Sequence, residues 1–148
     1  MTDTTSAGLV IRGFADAAMT AFALHEEFGF CHAGACLDDL GNVRDMTMFT
    51  DPGTHTVESA LDWAFCWTMN DDHFTHLVVF STGSEPVADP SEGDLALFRL
   101  MRSAFGRHGI EVLDWIRCDG ENVRSLAFTE RSDAWNGAAA APEHPPDI

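Results

Sequence analysis

The stretch Leu77–Asp94, L-V-V-F-S-T-G-S-E-P-V-A-D-P-S-E-G-D, limits the architecture more than any other part of the chain. Leu77, Val78, Val79 and Phe80 form an unbroken apolar run, the pattern of a strand covered on both faces. Ser81 to Pro90 mix prolines, a glycine, acids and hydroxyls, and read as loop. Ser91 suits a helix N-cap, with Glu92 in the first turn and Asp94 at the third helical position. A buried strand that feeds a loop and a helix start is a building unit of open α/β sheets, and such sheets place their sites there.

The flanking segments fit around this unit. Phe14 to Glu27 read as a helix whose apolar side is Phe14, Ala17, Ala18, Ala21, Phe22 and Leu24, ended by Gly29. Phe30 to Leu37 read as a strand, with Phe30, His32, Gly34 and Cys36 on one face and Cys31, Ala33, Ala35 and Leu37 on the other. The turn Asp38–Asn42 leads into a returning strand, Val43 to Thr50, and Asp51-Pro52-Gly53 breaks it. Thr56 caps a helix from Val57 to Met69 that is apolar around most of its circumference, because Trp63 and Trp67 widen its stripe. A helix of this kind is either buried on most sides or touches a partner, which makes Trp63 and Trp67 candidate interface residues.

After Asn70-Asp71-Asp72 the pattern predicts the central strand His76–Ser81 and a helix Glu92–His108 with Gly109 at its C′ position. A strand Ile110–Cys118, the Asp119-Gly120 turn and a last strand Asn122–Phe128 follow. With 148 residues the expectation is a single domain over residues 14–131. Residues 1–13 are expected to be a flexible N-terminus, and 132–148 a disordered Ala/Pro-rich tail. The order α-β-β-α-β-α-β-β combines hairpins with a crossover, so the fold class is α/β, a mixed β-sheet flanked by helices.

The Leu77–Asp94 stretch resembles the metal-binding segment of the RadC-like branch of the JAB (JAMM, MPN) family. That segment reads His-x-His, seven residues, then Ser-x-x-Asp, with the first histidine ending an apolar strand. Set on Ser91 and Asp94, the histidine positions fall on Ser81 and Gly83, and Pro90 matches the proline before the family's serine. Asp94 matches the third protein zinc ligand and Ser91 the serine beside the site. Downstream, G-I-E-V-L-D-W-I resembles the family's Gly-Ile-x-Leu-Leu-Asp-His-Ile, with Trp115 in place of the histidine. Upstream, Phe28–Asp38 resembles the first strand and Gly53-Thr54 the Gly-Thr after the second. The family's catalytic glutamate falls on Thr47 counting forward from Leu37-Asp38, or on Met48 counting back from Gly53-Thr54. The resemblance implies the cytidine-deaminase-like JAB/MPN fold over residues 14 to 128, without the zinc-binding histidines or the catalytic glutamate. A catalytic zinc keeps three protein ligands and an open position, and Asp94 alone cannot hold one.

Charge narrows the function further. The formal net charge is -16, which opposes binding to nucleic acid and to anionic membranes, both of which need clustered cations. All the basic residues are arginines. Cys31, Cys36, Cys66 and Cys118 lack paired CxxC spacing, so reduced, buried cysteines in a cytoplasmic protein are expected. The start M-T-D-T-T-S-A-G lacks the basic and apolar regions of a signal peptide.

Other constellations reduce to structural roles. Ser91 and Asp94 are explained by helix capping alone. His73 and His76 follow the helix stop at Asp71-Asp72, so they do not share a helical turn, and His76 is expected to start a strand. His25, Cys31, His32 and Cys36 cluster in sequence, but strand alternation places His32 and Cys36 opposite Cys31. Ser81 and Ser84 have no Gly-x-Ser-x-Gly elbow around them. Cys118, beside Arg117, has the strand-end setting of an inert thiol. The expectation is therefore a catalytically inactive RadC/JAB-like domain, without cofactor, that acts as a protein-binding or scaffold module with a protein partner or as a homodimer. The alternative is a metal-dependent, isopeptidase-like hydrolase with a zinc site rearranged around Asp94.

Overall fold

The computed structural model describes residues 9–49, 74–129 and Trp135. Helix α1 (Phe14–Phe28) is followed by a hairpin of β1 (Cys31–Leu37) and β2 (Val43–Phe49). Then come β3 (His76–Thr82), α2 (Glu92–Gly106), β4 (Glu111–Cys118), β5 (Val123–Ser125) and a single helical turn, α3 (Leu126–Thr129). The strands form one sheet in the order β2-β1-β3-β4-β5. Only β3 and β4 run parallel, joined through α2; the other neighbours are antiparallel. The mixed α/β class inferred from the sequence is therefore the observed one. The helix expected over 57–69, with Trp63 and Trp67, lies outside the described residues, as do His73 and Cys66.

Local chemistry sets the turns. In the β1–β2 hairpin, Asp38 Oδ1 accepts from the backbone N–H groups of Leu40 and Asn42, both at 2.9 Å, a side chain standing in for a backbone turn. Gly41 closes this turn at φ +86°, and a Cβ there would lie 2.8 Å from the Ile11 carbonyl oxygen. Helix α1 ends where expected, on Gly29 at φ 71°. Helix α2 starts on a full capping box: Ser91 Oγ accepts from Asp94 N and Asp94 Oδ2 from Ser91 N. At its other end the C-cap is Arg107, and Gly109 lies two residues beyond at φ +79° rather than next to the cap.

The core lies against β3, in which Leu77 to Phe80 are all buried, as their unbroken apolar run requires. Pairing places Leu77, Val79 and Ser81 on one face, and Val78, Phe80 and Thr82 on the other. Helix α1 packs across β3 and β4, and the carbonyl of Gly29 at its end accepts from Thr82 Oγ1 at 2.8 Å. Helix α2 meets the opposite face, where Asp94 pairs with Arg117.

Two expectations at the C-terminal end need correction. The strand foreseen over Asn122–Phe128 stops at Ser125 and turns into α3. Side chains capture the backbone there: Ala127 N donates to Asp114 Oδ1 at 2.9 Å and Phe128 N to Ser125 Oγ at 3.1 Å, so neither N–H continues a ladder. Trp135, grouped by composition with the Ala/Pro tail, is buried, and its indole N–H donates to Asp114 Oδ2 at 2.8 Å.

Candidate functional site

Residues from four elements meet where β3 and β4 end. Ser81 on β3 pairs with His32 on β1 and with Arg117 on β4, and alternation points all three side chains to the face that meets α2. His32 Nδ1 lies 2.8 Å from Ser81 Oγ. Trp115, two residues before Arg117 and on the same face, donates its indole N–H to Ser81 Oγ at 2.9 Å. The Arg117 guanidinium stacks over the Trp115 ring at 5.1 Å and donates to Asp94 Oδ1 at 2.9 Å. Phe30, half exposed, meets the His32 ring edge-on with centroids 5.7 Å apart.

The direction of each proton follows from donor inventory. An indole nitrogen only donates, so one lone pair of Ser81 Oγ is taken. The other contact of Ser81 Oγ among the described residues is His32 Nδ1, and the hydroxyl donates to it when the ring carries its proton on Nε2. Burial holds the His32 pKa below the ordinary imidazole value, which favours the neutral ring. Ser81 Oγ thus links the Trp115 indole and the His32 ring. Asp94 is opposite in character: burial raises its pKa, but the Ser91 N–H and Arg117 outweigh that and hold it below the usual carboxylate range.

On the second strand the register separates Thr47 from Met48. Thr47 stands opposite Gly34 and shares the face of His32 and Ser81, whereas Met48 stands opposite Ala33 and points the other way. Thr47 is buried, and its hydroxyl has no hydrogen-bond partner among the described residues. Asp45 shares the Thr47 face, opposite Cys36, and accepts from Met46 N at 2.8 Å. Gly83 follows β3, and its N–H donates to the Cys118 carbonyl at 3.1 Å.

These residues do not fit a zinc ion. Ser81 is a neutral hydroxyl, Gly83 has no side chain, and both Asp94 carboxylate oxygens already accept, from Arg117 and from Ser91 N. Among the described residues no group of three or more His, Cys, Asp or Glu side chains could hold a metal ion. Cys31 and Cys118 are buried on the far face, and burial pushes both thiols up. His76 takes the start of β3, as anticipated, and pairs with Glu111 at 3.5 Å. An open recess lined by Arg102, Gly106, Ile110 and Glu111 lies at the other end of the sheet, away from Ser81.

Sequence reasoning named Ser81, Ser91 and Asp94 and placed His32 on the correct strand face, but missed that His32 reaches Ser81. That contact depends on the β1–β3 register, which no local pattern encodes. The bond from Trp115 to Ser81 needs the parallel pairing of β3 and β4. No protein-family model and no curated protein matches the chain. Fold and site define an α/β domain with a mixed five-stranded sheet and a polar cluster at the ends of its two parallel strands. Among the described residues no helix is long and apolar enough to cross a membrane.

Proposed function

We propose that this chain is a RadC/JAB-like domain without zinc chemistry, acting as a protein-binding or scaffold module with a protein partner or a second copy of itself. One observation carries the reading: the protein's own side chains engage the groups that would have to bind the metal. Asp94 is bonded to Arg117 and to the capping N–H of Ser91, and Ser81, in place of a ligating histidine, is bonded to Trp115 and His32. Thr47, one of the two positions onto which the resemblance sets the family's acid, shares the site face and offers a hydroxyl, not a carboxylate. The net charge of -16 turns the partner away from nucleic acid and towards protein.

The test is elemental analysis of the purified protein before and after incubation with excess zinc and dialysis. The expected result is no stoichiometric zinc in either sample. One tightly retained zinc per chain, lost on Asp94→Ala, would replace this reading with the hydrolase built around Asp94. Light scattering on the wild type and on Trp63→Ala and Trp67→Ala tests the candidate interface: an assembly should dissociate in at least one variant with its circular dichroism preserved.

A further inference from the structure

The polar cluster at the end of β3 has the parts of a nucleophilic site of a different kind from the metal chemistry of the resembled family. We propose that Ser81 is a reactive serine, with His32 as its general base, and that it takes the acyl group of carboxylic esters with good leaving groups.

The geometry has three elements. The first is the nucleophile and its base. Ser81 Oγ and His32 Nδ1 lie 2.8 Å apart, and in the tautomer with its proton on Nε2 the ring can take the hydroxyl proton as Ser81 attacks. The second is a positioning group. Trp115 is 1 % exposed and donates to Ser81 Oγ from beneath, which fixes the oxygen while Ser81 itself keeps partial exposure. Phe30, edge-on to His32, restrains the ring and presents an apolar wall to an incoming acyl chain. The third is charge. Arg117 neighbours Ser81 across the ladder on the same face, held by Asp94 and over the Trp115 ring, and it brings a positive group to the edge of the site.

The step balances without a further co-reactant. A lone pair of Ser81 Oγ forms the bond to the acyl carbon, and the Oγ–H bond breaks as its proton passes to His32 Nδ1. Collapse of the tetrahedral intermediate breaks the bond to the leaving oxygen, which departs with its electron pair and takes the proton back from His32. The products are acyl-Ser81 and an alcohol. Water then attacks the acyl group with His32 again as base, releasing the carboxylic acid and restoring Ser81.

The experiment incubates the full-length protein with p-nitrophenyl acetate and follows nitrophenolate release, with peptide mass spectrometry to place the acetyl group. The expected result is an acetyl group on Ser81 in excess of that on Ser84, an exposed serine in the following loop. His32→Gln keeps a hydrogen-bonding group but removes the base, and should slow acetylation of Ser81 by about 100-fold. Ser81→Ala should abolish it. Unfolding midpoints establish that each variant is folded; if Ser81→Ala is not, the adduct position in the wild type and the His32→Gln rate decide the matter. Acetylation of Ser81 no faster than that of Ser84, or a rate unchanged in folded His32→Gln, would overturn the proposal. Zinc content does not enter either result, so this inference and the metal-free reading fail separately.

Discussion

Asp114 is a buried charged hub whose replacement perturbs several elements of this fold together. Its carboxylate is fully buried and accepts from Trp115 N at 2.7 Å, Ala127 N at 2.9 Å, Trp135 Nε1 at 2.8 Å and the Ser125 hydroxyl. It thereby ties β4 to β5, to the α3 turn and to the tail beyond it. Asp114→Ala leaves these donors facing a void. An unsatisfied buried donor costs about 1–3 kcal/mol, and the loss of a buried charged hub about 3–5 kcal/mol in total. That is a large part of the stability of an ordinary domain, about 5–15 kcal/mol.

Asp114→Asn tests the charge more cleanly, since the amide oxygen can still serve the two backbone donors. Burial raises the Asp114 pKa from the ordinary 3.8 to about 6, against the opposing pull of its hydrogen bonds to Ser125, Trp135, Ala127 and Trp115. The folded state therefore binds this proton more tightly than the unfolded chain. The group's stabilising contribution is complete below pH 3.8 and is lost as the pH rises through 6. The full difference amounts to about 3 kcal/mol, of which about 1 kcal/mol falls between pH 5 and 7. Urea unfolding followed by tryptophan fluorescence at pH 5, 6 and 7 measures it. The wild type should lose about 1 kcal/mol relative to Asp114→Asn across that range. A wild type that gains relative to the variant as pH rises would show that the hydrogen bonds outweigh burial, and would refute the reasoning.

Three further substitutions probe the scaffold. Ser91→Ala removes half of the α2 capping box and should lower stability by about 1 kcal/mol, read from the urea midpoint, with the helical circular dichroism retained. Gly120→Ala places a Cβ 2.5 Å from His25 Cε1 at a residue with φ +95°, so a loss of about 1–3 kcal/mol is expected. Combining it with His25→Ala should recover the part due to the clash but not the part due to the backbone. Thr47→Val replaces a buried hydroxyl that lacks a partner among the described residues and should raise stability by about 1 kcal/mol; a lower midpoint would mean that the hydroxyl is satisfied.

Much of this architecture is local in origin, and the sequence by itself determined that part. The apolar run Leu77–Phe80 specified a doubly covered strand because a strand with two dry faces tolerates no polar alternation. Asp38 with Gly41, and Ser91 with Asp94, specified a turn and a helix start because the interacting groups lie within four residues of each other. Alternation along β1 put His32 and Cys31 on opposite faces without reference to any partner strand.

What the tertiary structure decided is everything that depends on register between distant strands. His32 and Ser81 are 49 positions apart, and their contact exists because β1 runs antiparallel to β3 in one alignment; a one-residue slip would turn the side chains to opposite faces. The same alignment chose Thr47 over Met48 for the site face, a choice that counting along the chain left open. The end of β5 shows the converse. Val123 to Phe128 has the composition of a strand, yet Asp114 and Ser125 withdraw the N–H groups of Ala127 and Phe128 from the ladder. A carboxylate on another strand outcompetes local propensity there because burial makes each unmet donor expensive, and the same need draws the Trp135 indole out of an otherwise Ala/Pro-rich segment into the core.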